Sequence, residues 1–198
     1  MKIICWNCRG LRNPAIVCDL KQLLVVKNLL IIFLSETKAK AREMVRVRIK
    51  CSMDGCFVVD AKGRCGGLAL LWKNKAKVSI KNFSNNHIHS VISSEGLDSF
   101  HFTSFYRFFY LNSHVQSCEL LRKVGNLIHG DWIIEGDFNS ILNDNEKIGG
   151  RTKPRVSMEE FERVLDELAL VDIKTDKRWF TESNNMDGSS FVKERLDM

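Results

Sequence analysis

Short apolar runs alternate along this chain with longer amphipathic segments. The runs Lys2–Trp6 and Leu29–Leu34 are rich in isoleucine and leucine, which favours buried β-strands. Between them, Asn13 and Pro14 supply an N-cap and a first-turn proline, so we predict a helix that reaches about Asn28. The later runs with strand character are Leu68–Trp72, Val78–Phe83, Ile88–Ile92, Phe100–Tyr106 and Trp132–Glu135.

Three further segments have helical patterns. We predict helices over Thr37–Ile49 and Ser113–His129, the first of them strongly basic. Ser157 and Glu160 have the spacing of a capping box, which predicts a helix from there to about Leu170. The chain has no linker, repeat or low-complexity tract, so alternating strands and helices favour one α/β layered domain over residues 1–198.

Composition supports a folded intracellular protein. The chain has 198 residues, of which 44% are hydrophobic and 27% charged, so a mostly disordered chain is excluded. The longest apolar stretch, Leu23–Leu34, is shorter than the roughly 20 residues of a membrane span, and no signal-peptide pattern opens the chain. The net charge of +6 is compatible with a phosphate-bearing partner.

The seven cysteines do not form a recognisable framework. Their odd number argues against a secreted disulfide scaffold. Cys5 and Cys8 have the spacing of half a zinc site, but no second pair of ligands follows. We therefore expect reduced structural thiols in a cytosolic or nuclear protein.

Polar residues follow three of the predicted strands. In α/β sheets, functional sites form beyond the carboxyl ends of strands, so these segments are expected to converge. Asp137 and Asn139 are two residues apart, which places both on one face of extended backbone. The carboxylate of Glu36 and the carboxamides of Asn7 and Asn139 suit a hard cation such as Mg²⁺. The three segments are Trp6–Gly10, Ser35–Thr37 and Glu135–Asn139.

A series of motifs covers essentially the whole chain, from Met1 to Met198. In order they are Cys5–Leu11 (CWNCRGL), Ser35–Lys38 (SETK), Gly66–Trp72 (GGLALLW), Asn86–Ile88 (NHI), Phe105-Tyr106, Gly136–Asn139 (GDFN), Phe180-Thr181 with Ser183–Asn185, and Glu194–Asp197 (ERLD). This series resembles the endonuclease/exonuclease/phosphatase superfamily, specifically the apurinic-type endonuclease domain of plant non-LTR (LINE-type) retrotransposons. The resemblance implies a four-layer α/β sandwich, in which two mixed β-sheets are flanked by helices.

The resemblance also implies a chemistry. Glu36 would be the principal ligand of Mg²⁺, or alternatively Mn²⁺, with Asn7 beside it in the metal site. The implied reaction is metal-assisted hydrolysis of a phosphodiester bond in DNA, with weak sequence preference. In a retrotransposon, the nick would expose a 3′-hydroxyl that primes reverse transcription, so a nuclear location is implied.

Four more residues receive catalytic roles from the resemblance. Asp137 would orient and activate the attacking water, and Asn139 would hold the scissile phosphate. Tyr106 would contact the phosphate, and Asp197 would belong to an outer acidic network.

The chain departs from the family pattern in one important respect. Family members end their catalytic set with a Ser-Asp-His run, but this sequence contains no Asp-His pair. We therefore expect a domain incomplete at its C-terminus, with the final strands missing and weak or no activity. The alternative is an inactive relic or a nucleic-acid-binding fragment of the same fold. Smaller departures are Ser104, Arg107 and Glu182, which replace two glycines and a tryptophan.

Other interpretations stay open. A phosphoinositide or nucleotide phosphatase of the same superfamily is less favoured, because the motif Cys5–Leu11 has the plant retrotransposon form. The basic segment Lys38–Lys50 is either a solvated helix face or a phosphate-contacting one. His87 and His89 lie in a strand-like run, which favours a structural role for both.

Overall fold

The secondary structure comes from a computed structural model, which describes residues 1–63, 65–106, 113–136, 147–148, 154–171, 182–183 and 193–194. Four helices and eleven strands are defined. The helices are α1 (Pro14–Lys27), α2 (Ala41–Lys50), α3 (Ser113–Gly125) and α4 (Arg155–Glu167). The strands are β1 (Ile3–Asn7), β2 (Ile31–Ser35), β3 (Gly55–Val59), β4 (Leu68–Trp72), β5 (Ala76–Phe83), β6 (His87–Ser94), β7 (Leu97–Phe105), β8 (Trp132–Gly136), β9 (Lys147–Ile148), β10 (Glu182–Ser183) and β11 (Lys193–Glu194).

The strands form two four-stranded sheets and one small sheet. In the first sheet the order is β1-β2-β4-β3, with β1 parallel to β2 and β4 antiparallel to both its neighbours. In the second sheet the order is β5-β6-β7-β8, and β5 pairs with β6 in antiparallel fashion. The two-residue strands β10, β11 and β9 pair in antiparallel fashion. The predicted α/β fold with two sheets is confirmed.

The first sheet is buried on both faces, which explains its continuous apolar strands. On one face, Ile32 and Leu34 of β2 pack in a core with the buried sides of α1 and α2. On the other face, Phe57 of β3 meets Phe83 of β5 edge to face, with ring centroids 5.0 Å apart. The residues of α1 and α2 in this core are Val17, Leu20, Leu24, Met44 and Val47.

The ends of α1 follow directly from the sequence. The Oδ1 atom of Asn13 accepts a hydrogen bond from the backbone N–H of Ala15 at 3.0 Å, and Pro14 opens the helix. Asn28 closes it in the left-handed conformation, and its N–H donates to the last turn. Both predicted ends of this helix are confirmed.

Three other elements differ from the sequence-based expectation. Helix α2 begins at Ala41 rather than Thr37, because Glu36 and Lys38 have positive φ angles and cannot belong to a right-handed helix. The capping box predicted at Ser157 is wrong, because α4 already begins at Arg155 and Pro154 is its N-cap. Strand β3 was not predicted.

The chain divides into two compact units. The first contains Met1–Ser104 and Gly130–Ile133, and the second contains Phe105–His129 and Ile134–Met198. The first unit therefore holds the whole first sheet with α1 and α2. Among the described helices, none is long and apolar enough to cross a membrane.

Candidate functional site

The carboxyl ends of β1 and β2 lie side by side. The two strands are parallel, and Asn7 is the register partner of Ser35. Just beyond them, the N–H of Cys8 donates to the carbonyl oxygen of Ser35 at 3.0 Å, and the Cys8 thiol donates to the same oxygen at 3.1 Å. Asn7 is therefore held next to the point where the chain leaves β2 and enters Glu36.

Glu36 and Lys38 occupy left-handed backbone conformations, with φ angles of +52° and +50°. Such conformations cost non-glycine residues about 1–3 kcal/mol each and persist only where the surroundings impose them. We call residues 36–39 the Glu36 loop. Its unusual backbone makes this loop a constrained polar segment at the end of β2.

Backbone hydrogen bonds with two other loops hold the Glu36 loop. The N–H of Thr37 donates to the carbonyl oxygen of Gly67 at 3.1 Å, and the N–H of Lys38 donates to Gly66 at 2.9 Å. From the other side, the N–H of Leu11 donates to the carbonyl oxygen of Thr37 at 2.9 Å. The loop that carries Glu36 is thus fixed between the segments after β1 and before β4.

Gly67 fits under Thr37 only because it has no side chain. Its φ angle is +87°, and an added Cβ would lie 2.4 Å from the Oγ1 atom of Thr37. Thr37 is fully buried, and its Oγ1 accepts a hydrogen bond from the N–H of Ala39 at 3.4 Å. Sequence reasoning assigned no role to Thr37 or Gly67, although the pair Gly66-Gly67 before an apolar run is a signal for close backbone approach.

Charged and polar groups surround the oxygen atoms of Glu36 and Asn7. The Glu36 carboxylate is partly exposed, and its Oε2 lies 3.8 Å from the Nζ of Lys38. The Oδ1 of Asn7 accepts a long hydrogen bond of 3.3 Å from the N–H of Arg9. Burial, with a smaller contribution from the negative charge of Glu36, raises the pKa of the Cys8 thiol to about 11. Cys8 therefore stays protonated at neutral pH and serves as a structural donor.

The donor set fits a hard divalent cation. Glu36 offers carboxylate oxygens and Asn7 a carboxamide oxygen, and Mg²⁺ takes one or two such ligands while keeping several waters. Within the described part of the chain, no three His, Cys, Asp or Glu side chains cluster as a metal-binding group. A closed zinc-type site is therefore not formed by these residues, and none of the seven cysteines forms a disulfide.

A second close backbone approach lies beside Tyr106. Strand β8 ends at Gly136, where an added Cβ would lie 2.2 Å from the carbonyl oxygen of Phe105. Phe105 directly precedes Tyr106, whose side chain is buried. Asp137, Asn139 and Asp197 lie outside the described residues, as does Arg107, so the roles of the first three stay predictions.

The histidines of β6 have the structural surroundings expected of core residues. The Nδ1 of His89 and the Oγ1 of Thr103 are hydrogen-bonded at 2.7 Å, and the Nε1–H of Trp132 donates to the same Oγ1 at 2.8 Å. The ring of His101 stacks on that of His89, with centroids 5.2 Å apart. Burial lowers the pKa of His89 to about 4, and the same effect acts on His87.

Comparisons with known proteins identify the fold. No family model and no curated protein matches the sequence. Among solved structures, the chain is similar to the endonuclease domain of TRAS1, a telomere-specific non-LTR retrotransposon, with a TM-score of 0.67 and 16% identity over 98% of this chain and 82% of that chain.

Two other solved structures agree. TDP2 of D. rerio, complexed with a single-strand DNA product, gives a TM-score of 0.63 and 16% identity over 98% of this chain and 80% of that one. An AP endonuclease from Archaeoglobus fulgidus gives a TM-score of 0.59 and 13% identity over 83% of this chain and 70% of that one. At these identities the likeness shows the fold, which is the one that the sequence motifs predicted.

Proposed function

We propose that this chain is a metal-dependent phosphodiester hydrolase that nicks DNA, with Glu36 and Asn7 as the metal-binding residues. The observation that carries the proposal is the Glu36 loop. It holds a carboxylate in a strained backbone conformation beside a carboxamide, at the ends of two parallel strands. The fold adds support, since similar structures are named as endonucleases or contain a DNA product.

In this proposal Mg²⁺, or Mn²⁺ in its place, supplies the positive charge that neutralises the phosphate oxygens. Glu36 and Asn7 hold the cation through their side-chain oxygens. Asp137 orients the attacking water and takes its proton as the water oxygen bonds to phosphorus. The bond between phosphorus and the 3′-oxygen breaks, and that oxygen takes a proton from solvent. Asn139 and Tyr106 donate to oxygens of the scissile phosphate, and Asp197 belongs to the outer acidic network. A short set of polar residues suffices, because positioning and electrostatic stabilisation account for most of the rate.

The biological setting in the proposal is that of a LINE-type retrotransposon. A nick in one DNA strand leaves a free 3′-hydroxyl, and a reverse transcriptase can extend that hydroxyl. Such a protein acts on chromosomal DNA, so the proposal includes action in the nucleus. The endonuclease domain of TRAS1, the retrotransposon structure named above, favours this setting over a small-molecule phosphatase.

The proposal is tested by nicking of supercoiled plasmid with Mg²⁺ and with EDTA. We expect nicking that needs the cation and falls by about 10²–10³-fold in Glu36→Gln, because this change removes the charge that binds the cation. Glu95→Gln is the matched control, since Glu95 is an exposed glutamate in the turn between β6 and β7. Equal activity of both variants would contradict the role of Glu36.

A second candidate function is favoured by one observation. The sequence contains no Asp-His pair, whereas the family resemblance requires one at the scissile phosphate. In this alternative, the chain is an inactive relic that binds nucleic acid without cleaving it. Binding of a DNA duplex, together with no cation-dependent nicking by the unmodified chain, would establish it.

A further inference from the structure

We propose that the exposed face of α2 is a second contact surface for the phosphate backbone of nucleic acid, outside the Glu36 loop. The surface consists of Arg42, Arg46 and Lys50, which we call the α2 basic stripe. The inference rests on the proposed function only in taking DNA as the polyanion.

The geometry of the helix aligns these three cations. They are spaced four residues apart, so they lie on one side of the helix at successive turns. All three residues are exposed. With a rise of 1.5 Å per residue, the stripe is about 12 Å long, which corresponds to roughly three to four phosphates of one strand at 3.4 Å each.

The charges of the stripe are not neutralised within the described part of the chain. None of its three residues forms an ion pair or a side-chain hydrogen bond with another described residue. Glu43, the acidic residue of α2, is already engaged by Arg12 at 3.3 Å and by the N–H of Lys40 at 2.8 Å. The stripe therefore presents three available positive charges.

The other arginines of the described helices have partners, whereas Arg42 and Arg46 have none among the described residues. Arg48, on the inner side of α2, donates to the carbonyl oxygens of Met53 and Asp54. Arg122 in α3 pairs with Glu160 and Glu167, and Arg163 in α4 also pairs with Glu160. The guanidinium of Arg122 joins α3 to α4, whereas those of Arg42 and Arg46 are not engaged within the described part of the chain.

Nucleic acid fits this surface better than the other polyanionic partners do. The exposed apolar residues of α2 beside the stripe are Val45 and Ile49, and neither is aromatic. Helices that bind membrane surfaces carry bulky anchors such as tryptophan, phenylalanine or leucine, and protein interfaces favour aromatic cores. A row of cations with no aromatic anchor is the pattern of phosphate contacts, which position a duplex without reading its sequence.

The test is a salt titration of DNA binding without catalysis. A labelled 30-base-pair duplex is titrated by fluorescence anisotropy in EDTA, with all proteins carrying Glu36→Gln. The stripe variant combines Arg42→Gln, Arg46→Gln and Lys50→Gln. We expect its plot of log K against log salt to be shallower by about 2.7, since each duplex phosphate contact contributes about 0.9.

Two controls separate location from net charge and from folding. A variant with Lys75→Gln, Lys77→Gln and Lys81→Gln loses three exposed cations from β5 and the turn before it, so its net charge falls equally. It should keep the original slope. A variant with Arg42→Lys and Arg46→Lys keeps the charges of the stripe and should also keep the original slope.

The inference is overturned if the stripe variant keeps the slope, if the β5 variant loses as much, or if the chain binds no duplex at all. It is also overturned if the stripe variant loses binding to anionic lipid vesicles but not to DNA. Absence of plasmid nicking by the unmodified chain, with the slope change as expected, would instead refute the proposed hydrolase and leave this surface in place.

Discussion

At the scale of single residues, the candidate site depends on backbone conformation as much as on side chains. The position of the Glu36 carboxylate is set by its loop, and the loop is held by Thr37, Gly66 and Gly67. A carboxylate on a relaxed loop would lose the fixed geometry that a metal site requires. The residues around Glu36 should therefore affect activity even though they contact no substrate.

The first residue-scale prediction concerns Gly67→Ala. The new Cβ would lie 2.4 Å from the Oγ1 of Thr37, so the Glu36 loop must shift. We expect cation-dependent nicking to fall by about 10²-fold, because displacements near 1 Å in a catalytic constellation have that effect.

Gly63→Ala is the matched control for Gly67→Ala. Its φ angle of +65° also disfavours alanine, but its added Cβ would meet no atom within 4 Å. Backbone strain is thus shared by the two variants, whereas the clash with Thr37 is not. If both variants lose activity equally, the clash is not what positions Glu36.

A second residue-scale prediction concerns pH. The pKa values of His87 and His89 are about 4 in the folded chain, against about 6.5 for an unfolded histidine. Between these values the unfolded chain binds protons that the folded chain does not. The contribution of these two histidines to stability should therefore be constant above about pH 6.5 and fall as the pH drops from 6.5 to 4. Melting temperature measured across this range tests it.

The histidine contribution can be separated by substitution. His89→Asn removes the titrating ring while leaving a side-chain oxygen for Thr103, so the pH profile should flatten between 6.5 and 4. His129→Asn changes an exposed histidine and should leave the profile unchanged. The carboxylates Glu43 and Glu167, whose pKa values are lowered by hydrogen bonds, add their own loss of stability only as the pH falls through their ordinary pKa of 4.5, at the acid end of this range. An identical profile for both variants would argue against burial of His89 as the cause.

At the scale of elements, local sequence signals predicted those features that depend on neighbouring residues. Helix α1 was predicted at both ends, because Asn13, Pro14 and Asn28 act on their own neighbours. The start of α2 was missed by four residues, since the left-handed conformation of Glu36 depends on hydrogen bonds that Thr37 and Lys38 donate to the carbonyl oxygens of Gly67 and Gly66, about 30 positions away. No pattern within residues 35–41 contains that information.

The same distinction applies to the candidate site. That Asn7 and Glu36 adjoin follows from parallel strands whose carboxyl ends share an edge, and the apolar runs before them indicate those strands. The contact between Gly67 and Thr37 joins two loops that are distant in sequence. Sequence reasoning predicted which side chains form the candidate site but not the residues that shape their loop.

An element-scale prediction concerns the pairing of α3 with α4. The guanidinium of Arg122 bonds Glu167 through Nε at 2.6 Å and Glu160 through Nη2 at 2.9 Å. Lysine has one ammonium group and cannot reproduce this geometry. We expect Arg122→Lys to lower the melting temperature, by an amount that shrinks as the salt concentration rises, because these charges are exposed. Thermal melting at low and at high salt is the measurement.

A control on the same helix sharpens this prediction. Lys123→Arg replaces a lysine by an arginine at an exposed position of α3 that has no ion-pair partner among the described residues. It should leave the melting temperature unchanged. If Arg122→Lys melts like the unmodified chain, the two glutamates contribute nothing to the contact between α3 and α4.

At the scale of the whole molecule, the fold alone does not decide the reaction. Two of the similar solved structures are named as endonucleases and the third is complexed with a single-strand DNA product, and one fold can carry varied sites. This chain combines a candidate metal-binding edge with a departure elsewhere in the motif series. Glu36 and Asn7 are the residues proposed to hold the cation, while the Asp-His pair that the resemblance assigns to the phosphate does not occur in the sequence.

That combination leads to the last prediction, which concerns the rate of nicking by the 198-residue chain. A group that stabilises charge in the transition state typically contributes about 10²–10³-fold, and the Asp-His pair would supply such a group. We therefore expect cation-dependent nicking at a rate lower by at least that factor than the endonuclease domain of TRAS1 assayed alongside it. A second protein, extended by a segment that contains Ser-Asp-His, should recover rate only if the histidine reaches the phosphate. If the unextended chain nicks as fast as the reference domain, the Asp-His pair is dispensable here, and other residues must stabilise the phosphate.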